Sequence, residues 1–350
     1  MTSLLQQLPK RQASCFTALV SLSLLVPAAG TAAGDAGGAP SWCKGGGSLD
    51  AQSLPSSVKL GECDVRSRVI EGAHGLRVAV PPRGSEVVTV TAHVLQSGGS
   101  SELTVQIPPG RRMVSIKQQT FTHEDGRPQH SALAQDACRD RSWSSGLSAW
   151  PKGSTINWKF YEGEKVRGVP DEKAAVSDGV TRAVDAVTDC TSSKRFDPQP
   201  NIHEKLAGTT TAAPNINGGV CSSRDGTNSI GWANMTNAES GTLALSCIWQ
   251  SSRNIVEGDI AIQSHDKNWW AAEKAGAAGS DSLSNCPAGS FHAPSAVVHE
   301  MGHILGLKHV RGRRHSNLTM APTMKPCDDR ASTLGLGDYH GLIALYGRAS

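Results

Sequence analysis

His299-Glu-Met-Gly-His-Ile-Leu-Gly-Leu-Lys-His309 is the stretch on which the reading of this chain turns. On a helix, His299 and His303 fall one turn apart on the same face, so both imidazoles can reach a single metal ion. Gly306 has no Cβ and can take the left-handed conformation that ends a helix and turns the chain. That turn brings His309 back as a third ligand. Three neutral nitrogens leave a tetrahedral Zn²⁺ with one open position, and the opening separates a catalytic site from a closed structural one. Glu300, beside the first ligand, is the expected base for zinc-bound water and the acid that passes the proton to a leaving amine. These residue types at this spacing predict hydrolysis of an amide bond. Two other pairs, His123-Glu124 and His203-Glu204, lack a second histidine at the required offset and read as surface residues.

Downstream lie Asn317-Leu-Thr-Met-Ala-Pro322 and Leu334-Gly-Leu-Gly-Asp-Tyr-His-Gly-Leu-Ile-Ala-Leu-Tyr-Gly347. The 299–309 run resembles the extended zinc signature of the metzincin peptidases, in which a helix gives two His and the catalytic Glu and a Gly turn gives the third His. The first downstream segment is similar to the Met-turn, with Met320 as the methionine under the metal and Met324 as a less suitable substitute. The second is similar to the last helix of the matrixin branch, a likeness carried by Asp338, Gly341, Leu345, Tyr346 and Gly347. With its cysteines, the chain looks most like secreted bacterial members. The resemblance covers 293–347, extends weakly over 150–292 through Asp259-Ile-Ala-Ile262, and is absent before 138. It implies a zinc-dependent endopeptidase that acts on protein or peptide substrates.

Several departures from the family pattern shape the expectations. Val310 follows the third histidine where animal matrixins usually have Ser, and a longer insert, Arg311-Gly-Arg-Arg314 with His315, precedes Met320. The His-Gly-Asp segment that binds a second zinc in animal matrixins is missing, so one zinc is expected; calcium is left open and not predicted. Pro322 takes the place of the astacin tyrosine ligand. Arg167-Gly-Val-Pro-Asp171 echoes the cysteine-switch motif without its Cys and reads as a helix start, so latency by a thiolate is not expected.

Upstream, Lys10 and Arg11 precede an apolar run and small residues up to Ala33, the plan of a secretory signal peptide over 1–33. The run is too short and too broken for a membrane span, and nothing later reads as a transmembrane helix. Cys15 leaves with the signal. The other eight cysteines form an even set suited to four disulfides in an exported chain, and the simplest pairing joins neighbours in sequence.

Alternating β segments at 76–80, 87–94, 103–107 and 113–116, separated by Pro and Gly turns, predict a small antiparallel sandwich, so 34–130 is expected to be an amino-terminal all-β domain. A polar linker places the boundary between 125 and 145. Strands at 156–161 and 255–262, with helices at 174–187, 293–305 and 338–346, then predict an α+β domain over 138–350, the zinc peptidase. Trp269-Trp270 reads as packing, His315 as an exposed loop histidine, and Asn234-Met-Thr236 and Asn317-Leu-Thr319 as glycosylation sequons.

The 350 residues carry 34 Lys and Arg against 31 Asp and Glu, a formal charge of +3 without a basic stripe, which argues against nucleic acid as a partner. The expectation is thus a secreted, monomeric zinc endopeptidase. The rival from another class is a secreted binding or adhesion module that keeps a non-catalytic zinc.

Overall fold

A computed structural model describes residues 39–122, 135–146, 148–271 and 286–349. The signal-peptide expectation, the His123-Glu124 pair and most of the expected linker fall outside the described residues. In chain order the strands and helices are β1 (Leu49–Asp50), β2 (Ser57–Lys59), β3 (Val69–Glu71), β4 (Arg77–Ala79), β5 (Thr89–Gln96), β6 (Gly99–Gln106), β7 (Met113–Thr122), β8 (Thr155–Tyr161), α1 (Glu172–Val184), β9 (His203–Thr210), β10 (Ile216–Asn217), β11 (Val220–Cys221), β12 (Asn228–Ala233), β13 (Thr242–Ser251), β14 (Asn254–Gln263), β15 (Trp269–Trp270), β16 (Phe291–His292), α2 (Ala293–Ile304) and α3 (Leu336–Tyr346). The fold is mixed α and β, compatible with the α+β class expected.

A nine-stranded sheet runs β2-β7-β6-β5-β13-β14-β12-β8-β9. Its β14-β12-β8-β9 part is parallel, and β13 runs antiparallel to β14. The β5-β6-β7 meander then adds to the far edge of β13 in antiparallel register, with His93 opposite Ser246 and Leu95 opposite Ala244. A five-stranded sheet, β1-β3-β4-β11-β10, lies over the meander end. Side chains alternate across β5. Val90, Ala92 and Val94 enter the core beneath the five-stranded sheet together with Leu245 and Trp249, whereas Leu95 joins the core beneath α1 and α2.

The small sandwich expected over 34–130 therefore does not close on itself. Its strands face a second sheet across an apolar core, but both sheets are completed from the carboxy-terminal half, by β5 against β13 and β4 against β11. The physical cause is β13, whose outer edge is a row of backbone donors and acceptors that β5 satisfies. Residues 39–350 pack as one unit. The turn expected between the 87–94 and 103–107 segments is also shorter, because Gly99, Ser100 and Ser101 already belong to β6. These small residues are buried, and the Ser100 hydroxyl donates to the Pro322 carbonyl.

Helix α1 starts on Asp171, whose carboxylate accepts the Ala174 N–H at 2.8 Å. Its Val176, Val180 and Ala183 pack in the same core as α2. Every residue of α2 is buried, and its sequence is apolar all round apart from the site residues and Ser295, whose hydroxyl pairs with His292. The four disulfides join Cys43–Cys63, Cys138–Cys190, Cys221–Cys247 and Cys286–Cys327, the neighbour pairing expected. Among the described residues no helix is long and apolar enough to cross a membrane.

Candidate metal centre

Helix α2 presents His299 and His303 to the same side. It ends at Gly306, which takes φ +91°, while its N–H donates to the His303 carbonyl at 2.8 Å and the Leu307 N–H donates to the Gly302 carbonyl at 2.9 Å. A left-handed residue here reverses the chain, and the reversal carries His309 back. The His309 Nε2 lies 3.2 Å from the Nε2 of His299 and 3.1 Å from that of His303.

The other ring nitrogens decide what these three atoms are. His299 Nδ1 sits 2.8 Å from the Thr319 carbonyl and His303 Nδ1 2.9 Å from the Leu307 carbonyl. A carbonyl can only accept, so both Nδ1 atoms carry the proton and both Nε2 atoms are lone pairs. Lone pairs at this separation repel unless a proton or a cation lies among them. Burial disfavours the proton: it lowers His299 to about 4 and holds His303 and His309 well below the ordinary histidine range. The donor set therefore fits a metal ion, and the fixed tautomers are those that metal-binding histidines need.

A fourth histidine stands in the cluster. His93 of β5 stacks on His303 with ring centroids 3.9 Å apart and planes within 9°. One ring nitrogen from each of His93, His303 and His309 lies within 4.8 Å of the others, a grouping that could hold a metal. Burial lowers His93 to about 4 against the opposing pull of Glu102, so this imidazole too is neutral. Nothing local in the sequence marks it. Thr89, Thr91 and His93 read as the polar face of an alternating strand, and only the sheet shows what that face meets.

Glu300 is fully buried; its Oε2 accepts from the Ser246 hydroxyl at 2.6 Å, and its Oε1 has no hydrogen-bond partner. Burial pushes its carboxyl up to about 8, with the Ser246 bond opposing. Ser246 was not legible as a site residue, since it sits in the middle of an apolar strand.

The matrixin family model matches residues 233–347, from the end of β12 through β13, β14, α2 and α3. The match supports a matrixin-like metzincin segment. No curated protein and no solved structure matches the chain.

In the matrixin-like segment Met320 sits directly beneath α2, its sulfur against the bare Cα of Gly302, where any side chain would meet it. Its carbonyl accepts the Val310 N–H at 3.0 Å, which ties the turn to the chain just beyond His309. Asp338, in the first turn of α3, accepts the N–H groups of Thr319 at 2.9 Å, Met320 at 3.3 Å and Gly335 at 3.0 Å. Burial raises its carboxyl to about 6 against these three bonds. The Tyr346 hydroxyl, at the far end of α3, donates to the Leu305 carbonyl at 2.8 Å. The family-like closing helix thus braces both the methionine turn and the end of α2.

Met324 is buried and lines a small cavity beside His299 with Leu95, Leu318, Thr319 and Thr323. His315 is part-buried and pairs with Asp140 at 2.7 Å. His203 and Glu204 lie in β9, where Glu204 accepts from the Trp158 indole at 2.7 Å. Trp269 and Trp270 are buried, and the Trp269 indole donates to the Gln263 carbonyl at 2.7 Å.

Proposed function

We propose that the chain is a secreted zinc endopeptidase that hydrolyses peptide bonds of protein substrates as a monomer. The peptidase segment lies within 138–350, 34–130 is a β-rich amino-terminal region that shares its sheets with that segment, and 1–33 is a cleaved signal peptide. The observation that carries the reading is the convergence of the His299, His303 and His309 Nε2 atoms at 3.1–3.2 Å beside Glu300 of the same helix. These three residues hold the one ion. When bound, zinc polarises the carbonyl under attack and lowers the pKa of water towards ~7.

The rest is done by the protein. Ser246 holds one Glu300 oxygen and leaves Oε1 free to take the proton of the attacking water and to return it to the leaving amine nitrogen. A cation next to Glu300 opposes the effect of burial and favours the ionised base. Met320 is the apolar support under the ligand helix. Four disulfides suit an oxidising compartment, which supports export.

A secreted binding module with a non-catalytic zinc would also use the histidines. It gives no reason to bury a carboxylate with one oxygen unpartnered, an arrangement that costs stability unless it serves chemistry.

Zinc content and cleavage of unfolded casein, measured together for the wild type, Glu300→Ala and His303→Ala, test the reading. One zinc per chain is expected in the first two, loss of zinc in the third, and casein cleavage in the wild type alone. Cleavage by Glu300→Ala at the wild-type rate would overturn the mechanism.

A further inference from the structure

We propose that the amino-terminal strands carry a binding site for an organic phosphate or sulfate monoester, apart from the metal centre. The site concerns binding alone and stands or falls independently of the peptidase reading.

Along the chain the arginines of this region are scattered and form no stripe. The fold gathers four of them. Three connections meet at one end of the β5-β6-β7 meander: the chain that follows β2, the β4–β5 turn over 80–88 and the β6–β7 turn over 107–112. The Leu60 N–H donates to the Arg112 carbonyl at 2.9 Å and the Ile107 N–H to the Val88 carbonyl at 2.7 Å, so backbone bonds tie the three together. Between them lies a cavity of about 270 Å³ lined by Arg66, Arg83, Arg111 and Arg112, with apolar surface from Leu60, Val87, Val88 and Ile107. Among the described residues no Asp or Glu lines it.

The charge of this cavity is mostly uncompensated. Arg66 donates to Asp64 through Nε at 2.7 Å and also through Nη2. That bond, with the charge of Arg83 assisting, holds the Asp64 carboxyl below the ordinary carboxylate range against the effect of burial. Arg83, Arg111 and Arg112 are exposed and, among the described residues, make no ion pair or side-chain hydrogen bond. Glu86, on the same turn as Arg83, lines the adjoining cavity instead, where its carboxylate lies 3.4 Å from Arg224 Nη2.

The cations also sit on closed turns. Gly84 and Gly110 take φ +80° and +70°, a left-handed conformation that glycine adopts without strain. The Ser85 and Arg111 N–H groups then donate back to the Pro82 and Pro108 carbonyls at 3.3 and 3.1 Å. Fixing the turns in advance lowers the cost of ordering them around a ligand.

A guanidinium presents a planar fork of N–H donors that matches a pair of oxyanion oxygens, and one fork satisfies a carboxylate. A phosphate or sulfate monoester offers three terminal oxygens and engages several forks at once. The apolar wall suits the carbon body of the ester, which a bare ion would leave unused. The volume lies just below the range of drug-sized ligand sites, roughly 300–1,000 Å³, and so favours a small ester over a polymer. Among the described residues the exposed large hydrophobic side chain is Trp143, beside Gly341 of α3, so no apolar anchor stands at this end to enter a lipid surface.

Calorimetric titration of the full-length chain at physiological ionic strength, with phenyl phosphate, phenyl sulfate, inorganic phosphate and benzoate as probes, tests the site. The wild type is expected to bind a phenyl ester at one per chain, at least fivefold more tightly than inorganic phosphate or benzoate. Arg111→Ala combined with Arg112→Ala should weaken that binding at least tenfold. Arg83→Lys, which keeps the charge and removes the fork, should weaken it at least threefold. Removing equal charge elsewhere, with Arg313→Ala and Arg314→Ala together, should change it less than twofold. All five arginines are exposed, and unchanged thermal midpoints check that the variants keep the fold. The proposal is overturned by a wild type that binds neither ester saturably, or that binds benzoate or inorganic phosphate as tightly as the ester. Equal loss in the Arg313 and Arg314 variant, or Arg83→Lys binding as the wild type does, also overturns it. Binding to phosphatidate vesicles by a chain that ignores the soluble esters overturns it in favour of a lipid surface.

Discussion

At the scale of single residues, Gly306 links the helix to the third histidine. It holds φ +91°, and a Cβ added there would lie 2.8 Å from the Ser148 carbonyl oxygen. Gly306→Ala is expected to cost about 1–3 kcal/mol of stability and, by moving His309, to weaken zinc binding by roughly 10–100-fold; denaturant midpoints and chelator competition check the two effects. A second residue sets a pH dependence away from the metal. Asp259 is buried, and burial raises its carboxyl to about 7, with the N–H groups of Ser229 and Asn215 opposing and the nearby carboxylates of Glu257 and Asp225 assisting. A carboxyl with a higher pKa in the folded state keeps its proton where the unfolded chain has lost it. Its contribution is therefore fully present below the ordinary carboxylate pKa and is lost as pH rises to about 7. Denaturation at pH 5 and pH 8 should show a smaller pH difference in Asp259→Asn than in the wild type, and parallel profiles would remove Asp259 as the cause. The spacing of His299, His303 and His309 was legible because their convergence is local, four residues of helix and one turn. His93 was not legible, because its meeting with His303 spans 210 residues of chain and depends on strand pairing.

At the scale of elements, α3 acts as a brace. Its first-turn Asp338 collects three N–H groups from the methionine turn and its own start, and Tyr346 at the other end holds the last turn of α2. An amide in place of the carboxylate substitutes a donor for one acceptor oxygen, so at least one buried N–H loses its partner, a loss of about 1–3 kcal/mol. Asp338→Asn is therefore expected to lower the urea midpoint without removing any metal-site histidine, and an unchanged midpoint would show that the brace is dispensable. Helices α1, α2 and α3 and strands β8 and β14 were legible from their periodicity to within two or three residues. The exceptions follow from context. Strand β13 is buried almost throughout, with core on both sides, so it lacks alternation. Polar Gly99-Ser-Ser101 reads as a turn until its burial under the Pro322 loop is known.

At the scale of the whole molecule, the shared sheet makes residues 39–350 one structural unit rather than two beads on a linker. Strand β5 contributes to both apolar cores through opposite faces, so neither core is complete without it. Amide exchange in denaturant is expected to expose the β5–β7 and β13–β14 amides in one step; earlier release of β5–β7 would show that the parts unfold independently. What the sequence by itself determined is the local chemistry: the helix with its two histidines and glutamate, the turn that returns the third, the helix caps and an even cysteine set. Those features need only neighbouring residues and the geometry of one helix or turn. What only the tertiary structure decided is the state of the centre, because an unfilled strand edge can be satisfied by any extended segment of matching register. Which segment fills it, and that it brings His93 and Leu95 with it, is fixed by long-range pairing and the packing of two cores, and no local pattern encodes that.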